Sequence, residues 1–111
     1  MEFGTSMSKI RLSSFEIEAI SSIFKLFFGP EDHLWLFGSR TRPEAKGGDI
    51  DLYIETKISD AKAANDQKIS FLTELCFKIG DQKVDVVLNR IPNLHQLPIY
   101  TVAKEEGILL V

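Results

Sequence analysis

Two aspartates separated by a single residue, Asp49 and Asp51, open an otherwise apolar segment that runs to Ile54. Successive side chains of a β-strand point to opposite faces, so the two carboxylates would share one face while the aliphatic residues between them enter the core. Like charges this close are unfavourable unless protons or a cation offset them, and hard divalent cations prefer carboxylate oxygens. The pair therefore indicates a magnesium site.

A third acid, Asp85, interrupts the apolar run 83–88. An unpaired buried charge is costly, so we expect Asp85 to meet a partner. If its strand lies beside the first, the three carboxylates could hold two metal ions that brace the attacking and leaving oxygens of an in-line phosphoryl displacement. Asp85 could then accept the proton of the attacking hydroxyl. A structural ion pair of Asp85 with Lys78 or Lys83 is the alternative.

Upstream, Gly38-Ser39-Arg40 directly follows the apolar run 34–37. Glycine lets the backbone approach phosphate oxygens closely, while the serine hydroxyl and neighbouring amides can donate hydrogen bonds to them. Arg40 would add positive charge at the same place. Taken alone, the Gly-Ser pair is equally typical of a tight turn, and Arg40 of a solvated loop.

The elements that must position these residues follow from apolar periodicity and from turn residues. A capping box at Ser13 and Glu16 predicts a helix over 14–28. Further segments predict strands at 34–37, 49–55 and 83–88, helices at 60–79 and 99–106, a polar loop at 40–48 and an apolar end at 108–111. For the second helix we expect an inner face made of Ile69, Leu72, Leu75, Cys76 and Ile79. The pattern is that of an α/β (α+β) domain.

Composition limits the remaining possibilities. The 111 residues are 44% hydrophobic and 26% charged, which fits one folded domain and excludes disorder of the whole chain. No apolar stretch approaches the ~20 residues of a membrane span, and no signal peptide is evident, so we expect a cytoplasmic protein without membrane contact. Residues 1–6 have the composition of an expression leader, which leaves 7–111 as the domain.

The charge balance and the cysteine count exclude further classes. A net charge of −3 provides no general positive field, so nucleic acid is a disfavoured partner. The single cysteine, Cys76, excludes an internal disulfide and a four-ligand thiolate zinc site. We expect Cys76 to be a core residue.

Together, the Gly-Ser pair, the spacer, the Asp-x-Asp motif and the later lone aspartate resemble the nucleotidyltransferase superfamily of DNA polymerase β, in particular its minimal (MNT) branch. The resemblance covers 14–88 and implies a small mixed sheet flanked by helices. It implies a nucleoside triphosphate substrate with magnesium and release of pyrophosphate, ATP being the expected donor. By position, Asp49, Asp51 and Asp85 would be the catalytic metal ligands, and Gly38 and Ser39, with Arg40, would hold the triphosphate.

The resemblance also implies a partner. Minimal nucleotidyltransferases commonly pair with a small helical protein of the HEPN or a related substrate-binding type, often as toxin–antitoxin modules, so the acceptor hydroxyl is expected on that partner. A catalytically silent binding subunit, a small-molecule (aminoglycoside-like) nucleotidyltransferase and a homodimer are the alternatives. Tyr53, on the same strand face as the acids, could touch a nucleotide. Three features depart from the family pattern: the spacer between Ser39 and Asp49, which is one residue shorter than is common, and the residues Pro43 and Gly48.

An interface is expected as well. The aromatic stripe of the first helix, with Phe15, Phe27 and Phe28, is wide for a domain of this size, and the apolar end 108–111 adds to it. Large exposed apolar patches usually mark interfaces. The alternative is that these phenylalanines fill the core.

Overall fold

The computed structural model describes residues 10–44, 48–92 and 96–111; the predicted leader at 1–6 and part of the 40–48 loop lie outside these ranges. The elements, in chain order, are α1 (Ser14–Phe27), β1 (His33–Phe37), a 3-10 turn (Gly38–Thr41), β2 (Ile50–Thr56), α2 (Ala61–Ile79), β3 (Val84–Arg90), α3 (Pro98–Glu106) and β4 (Ile108–Leu109). Every predicted helix and strand is present with limits within two residues of those expected. The short strand β4 was not predicted.

Local hydrogen bonds explain where the two long helices begin. The Ser13 hydroxyl accepts from the Glu16 amide at 3.0 Å, and the Glu16 carboxylate accepts from the Ser13 amide at 2.9 Å, which confirms the capping box. The Asp60 carboxylate caps α2 by accepting from the Ala63 amide at 2.8 Å. The free amides of each first turn are thereby partly satisfied.

The four strands form one mixed sheet in the order β3-β2-β1-β4. β1 is antiparallel to β2 and to β4, whereas β2 and β3 are parallel, with α2 as the crossover between them. The predicted α/β class is confirmed, because residues 10–44, 48–92 and 96–111 form a four-stranded mixed sheet with three helices. No helix within the described ranges is long and apolar enough to cross a membrane.

One face of the sheet packs against α1 and α2 and carries the main core. Its buried members are mostly aliphatic and come from two strands and two helices: Ile20, Phe24, Leu34, Leu36, Ile50, Leu52, Ile54, Phe71 and Leu75. The opposite face is covered by α3, where Tyr53 packs with Tyr100 and Ala103. The predicted inward orientation of the aliphatic residues of β2 is confirmed.

The predicted inner face of α2 is partly wrong. Ile69 is 51% exposed and Cys76 is exposed, whereas Phe71 is fully buried in contact with the rings of Phe24 and Phe28. The buried line of α2 runs through Ala64, Phe71 and Leu75, and the residue after Leu75 is rotated about 100° away from it.

The exposed aromatic stripe expected at the end of α1 is also largely absent. Phe28 is buried against Phe24, at 4.8 Å between ring centroids, and Phe27 is half-buried. At the other end of the chain, β4 pairs with β1 and the Leu110 amide donates to the Leu34 carbonyl at 2.8 Å. These segments complete the core, and only Phe15 of the expected stripe is substantially exposed, at 55%.

Candidate functional site

The aspartates meet where the C-terminal end of β1 adjoins the N-terminal ends of β2 and β3. Asp51 and Asp85 are each the second residue of their strand and are direct register partners in the parallel pair. On the other side, Phe37 is the register partner of Asp51. Asp49 immediately precedes β2 and is half-buried. The sequence prediction that neighbouring strands bring the three acids to one place agrees with this arrangement.

The alternative of a structural ion pair at Asp85 finds no support in the contacts of the two lysines. Lys83 pairs with Asp49 instead, at 3.6 Å between Nζ and Oδ2, and Lys78 lies over the Phe15 ring at 5.8 Å. Asp85 itself is exposed, so the expectation that it would be a buried charge in need of a partner is wrong. β3 is an edge strand of the sheet, and α3 packs on β1 and β2. Water therefore solvates this carboxylate.

Asp51 carries the electrostatic signature of the cluster. Its partial burial raises the pKa of its carboxyl, and the negative charges of Asp85 and Asp49 raise that pKa further, whereas Lys83 opposes the shift. Burial and the two neighbouring negative charges disfavour the ionised form unless enough positive charge is nearby. The carboxylate is therefore placed where a proton or a cation is favoured.

Gly38 connects the Gly-Ser pair to these acids. Its φ of +80° is in the region that favours glycine. A Cβ at this position would also overlap the Asp51 carboxylate oxygen Oδ2 and lie only 3.2 Å from its Cγ. Gly38 is thus required both for its backbone conformation and for the close approach of the chain to Asp51.

Gly48, one of the departures from the family pattern, has a local explanation. Its φ is +91°, and a Cβ there would overlap the Ser39 hydroxyl oxygen and lie 3.3 Å from the Ser39 Cβ. The chain before β2 therefore returns onto the 3-10 turn, and a larger residue at 48 would displace Ser39. The glycine is a consequence of this packing.

Arg40 is held by protein groups. Its guanidinium donates to the Arg11 carbonyl at 2.8 Å, to the Gly48 carbonyl at 3.3 Å and to the Gln82 side chain at 3.4 Å. These contacts tie the 3-10 turn to the three segments that precede α1, β2 and β3. A contact of Arg40 with a nucleotide stays a prediction.

A buried polar network on the same sheet face was missed by the sequence reasoning. The Tyr53 hydroxyl donates to the Glu55 carboxylate at 2.7 Å and accepts from the Asn89 amide at 3.0 Å, while Lys104 pairs with Glu55 at 3.0 Å. Tyr53 is fully buried, and burial raises the pKa of its phenol. The suggestion that Tyr53 touches a nucleotide is therefore wrong. Its only sequence signal was the alternation that places Asp51, Tyr53 and Glu55 on one face.

The carboxylates fit a hard divalent cation by chemistry and by sign of charge. Within residues 10–44, 48–92 and 96–111, however, no group of three histidine, cysteine or acidic side chains is arranged to hold a metal ion as it stands.

The likeness to the polymerase β-like nucleotidyltransferases rests on the motif residues. No protein-family model matches the chain, and no curated protein matches it in sequence.

Proposed function

We propose that this chain is a minimal nucleotidyltransferase of the DNA polymerase β-like fold, which transfers a nucleoside monophosphate, AMP from ATP, to a hydroxyl group in a magnesium-dependent reaction. The observation that carries the proposal is the convergence at Asp51. Gly38 packs against its carboxylate, Asp85 is its strand partner and Asp49 precedes it by two residues on the same segment.

The proposed reaction is a single displacement at the α-phosphorus. The acceptor oxygen forms a bond to phosphorus, the bond from phosphorus to the pyrophosphate oxygen breaks, and the acceptor proton passes to a carboxylate. Asp85 is suited to that last role because it is exposed beside Asp51. Bound magnesium would supply positive charge that offsets the charge of the phosphates and of the aspartates.

The groups that would bind the triphosphate lie at the turn after β1. Gly38 and Ser39 open the 3-10 turn and Gly38 packs against the Asp51 carboxylate, so their backbone amides would lie near phosphate oxygens held at the acids. Arg40 would act chiefly by fixing the turn, since its guanidinium already has three protein acceptors. Asp49 and Asp51 would hold the metal, with Asp85 as the third ligand and base.

The acceptor hydroxyl is proposed to lie on a small helical partner protein of the HEPN or a related type. Two large apolar side chains on the outer surfaces of α1 and α2 are available for a protein contact: Leu26 is 73% exposed and Phe77 is 81% exposed. Exposed apolar groups of this size are typical of interaction surfaces when they are contiguous. Leu26 and Phe77 line a common cavity between the two helices.

One observation favours the rival function, a silent binding subunit. In the described parts of the chain the acids are not gathered as a set of three metal ligands, and Lys83 already neutralises Asp49. A subunit that has lost turnover could keep such an arrangement. Turnover itself separates the two functions.

The test uses ATP labelled in the α-phosphate, magnesium and the chain co-expressed with the product of the neighbouring reading frame. The variants are Asp51→Asn, Asp85→Asn and, as a charge-matched control, Asp66→Asn. Asp66 is exposed on α2 and pairs there with Lys62. Label transfer and the thermal stabilisation by magnesium and ATP are measured for each.

We expect the wild type and Asp66→Asn to transfer label equally. Asp51→Asn should lose the stabilisation by magnesium and ATP, and Asp85→Asn should lose transfer by about 100-fold or more while retaining nucleotide binding, the usual loss when a general base is removed. Equal stabilisation of the wild type and Asp51→Asn would contradict the metal site. Nucleotide binding without any transfer would establish the silent subunit.

A further inference from the structure

A cavity of about 350 Å³ opens directly beside Gly38. It lies between the turn that follows β1 and one side of α3. Its lining includes Phe37, Gly38, Arg42, Ile99, Val102 and Glu106. Pockets that bind small molecules usually have volumes of roughly 300–1,000 Å³, apolar walls and a few polar groups.

Its apolar wall comes from one side of a helix. Ile99, Val102 and Glu106 are spaced three and four residues apart, so they share one side of α3. Ile99 is 38% exposed and Val102 is 40% exposed, because the adjacent side of the helix, with Tyr100 and Ala103, is the one that packs on the sheet. An apolar strip thus remains open toward the turn.

The cavity adjoins the candidate site at Gly38. Gly38 belongs to both, since it lines the cavity and packs against Asp51. Phe37, which also lines the cavity, is the register partner of Asp51. A ligand whose phosphates lie at Gly38 could therefore extend a flat apolar group between the turn and α3.

We propose that this cavity is the nucleobase subsite, an inference that rests on the proposed function. The base lies against the side chains of Ile99 and Val102. Arg42, at the cavity wall, provides a planar cation that can stack on a heterocycle. The occupant is the base of the nucleoside triphosphate.

Glu106 gives the subsite a preference among bases. Its carboxylate only accepts hydrogen bonds when ionised, so it favours a base with an exocyclic amino group over uracil, whose N3–H lies between two carbonyl oxygens that repel a carboxylate. The proposal therefore makes Glu106 a specificity-determining residue, with ATP preferred over UTP. Glu105, its neighbour in the chain, is exposed and is not part of the cavity lining, which makes it a matched control.

The experiment measures the binding of ATP, UTP and inorganic tripolyphosphate to the intact chain with magnesium, by calorimetry. Val102→Gln should weaken ATP binding about tenfold, the effect of losing a small apolar contact in a pocket, and leave tripolyphosphate within about twofold. Glu106→Gln should reduce the preference for ATP over UTP about threefold, a modest effect because the carboxylate is solvated. Glu105→Gln should leave both values unchanged.

The outcomes separate the two proposals. Binding of ATP and tripolyphosphate with equal affinity, unaltered by Val102→Gln, would overturn the base subsite and leave the proposed function intact. Unaltered ATP binding in Val102→Gln together with reduced transfer would assign the cavity to the acceptor and would also overturn the base subsite. A wild-type chain that is folded and binds neither ATP nor tripolyphosphate would overturn the proposed function and the subsite together.

Discussion

Replacing Gly38 with alanine tests the contact on which the site depends. The added Cβ meets two penalties. The first is conformational, because φ at this position is +80°. The second is steric, because the Cβ would overlap Asp51 Oδ2 and crowd its Cγ at 3.2 Å and its Cβ at 3.3 Å. The carboxylate can rotate away only by leaving its present rotamer.

The magnitudes of the two penalties can be separated. A non-glycine residue held in a sparsely populated backbone region costs about 1–3 kcal/mol. Forcing the Asp51 side chain off its rotamer adds about 0.5–1.5 kcal/mol. We expect Gly38→Ala to lower the free energy of unfolding by about 1.5–4.5 kcal/mol, within the ~5–15 kcal/mol of a typical domain, so the variant should still fold.

A double-mutant cycle isolates the steric part. Asp51→Ala removes the crowded carboxyl group, so Gly38→Ala should cost about 0.5–1.5 kcal/mol less in that background. Gly80 provides the control, because its φ is +93° and no atom of the described residues lies within 4 Å of a Cβ placed there. Gly80→Ala should carry a conformational penalty that is unaffected by Asp51→Ala.

The assay is urea unfolding followed by circular dichroism and by the fluorescence of Trp35, the only tryptophan of the chain. Linear extrapolation then gives the free energy of unfolding of each variant. Equal penalties for Gly38→Ala with and without the Asp51 carboxyl group would refute the packing of Gly38 against Asp51. The convergence that supports the proposed function would fail with it.

Two further predictions concern charges on the face covered by α3. The raised pKa of Asp51 means that the folded chain holds this proton more tightly than the unfolded chain, so stability should fall as pH rises above the ordinary aspartate value of 3.8. Asp51→Asn should remove that part of the pH dependence and raise stability at neutral pH by about 0.2–1 kcal/mol, as for like charges on facing strand residues. Thermal melts of the wild type and the variant from pH 4 to 7 measure this difference, and parallel curves of melting temperature against pH would contradict the prediction. Lys104→Met should cost about 1–3 kcal/mol in urea unfolding, less than for a fully buried pair because Lys104 is 46% exposed over the nearly buried Glu55. Lys62 forms an exposed ion pair with Asp66, so Lys62→Met should lower the free energy of unfolding by no more than about 0.5 kcal/mol. Equal losses in Lys104→Met and Lys62→Met would contradict a stabilising role for the pair of Lys104 with Glu55.

The helix and strand limits could be predicted because short-range chemistry sets them. The capping box at Ser13 and Glu16 uses groups three residues apart, and α2 ends at its C-cap Gly80. The inner face of α2 could not be predicted as well, because its apolar residues are spread around the helix. Ile69 and Phe77 are both exposed although they are as apolar as the buried Phe71. Which side faces the sheet is decided by the fit against α1.

The convergence of the acids could be predicted from strand alternation together with the adjacency of two strands. The direction of the Arg40 side chain could not, because its acceptors are the Arg11 carbonyl, the Gly48 carbonyl and Gln82, which are distant from one another in sequence. The exposure of Asp85 was also beyond the sequence. An aspartate within an apolar run is equally consistent with a central strand and with an edge strand, and only the strand order decides between them.

Where α3 lies decides what the polar side of β2 can do. Alternation places Asp51, Tyr53 and Glu55 on one face, and sequence alone gives no reason to treat them differently. In the structure α3 packs over Tyr53 and its Lys104 pairs with Glu55, so these two become part of a buried network. Asp51 remains only partly buried, at the end where Gly38 and the cavity adjoin. The nine-residue helix α3 is held in place by β4, which begins two residues after the helix ends and pairs with β1. Its position therefore divides this sheet face into a buried structural part, with Tyr53 and Glu55, and an accessible part, with Asp51, that is available for chemistry.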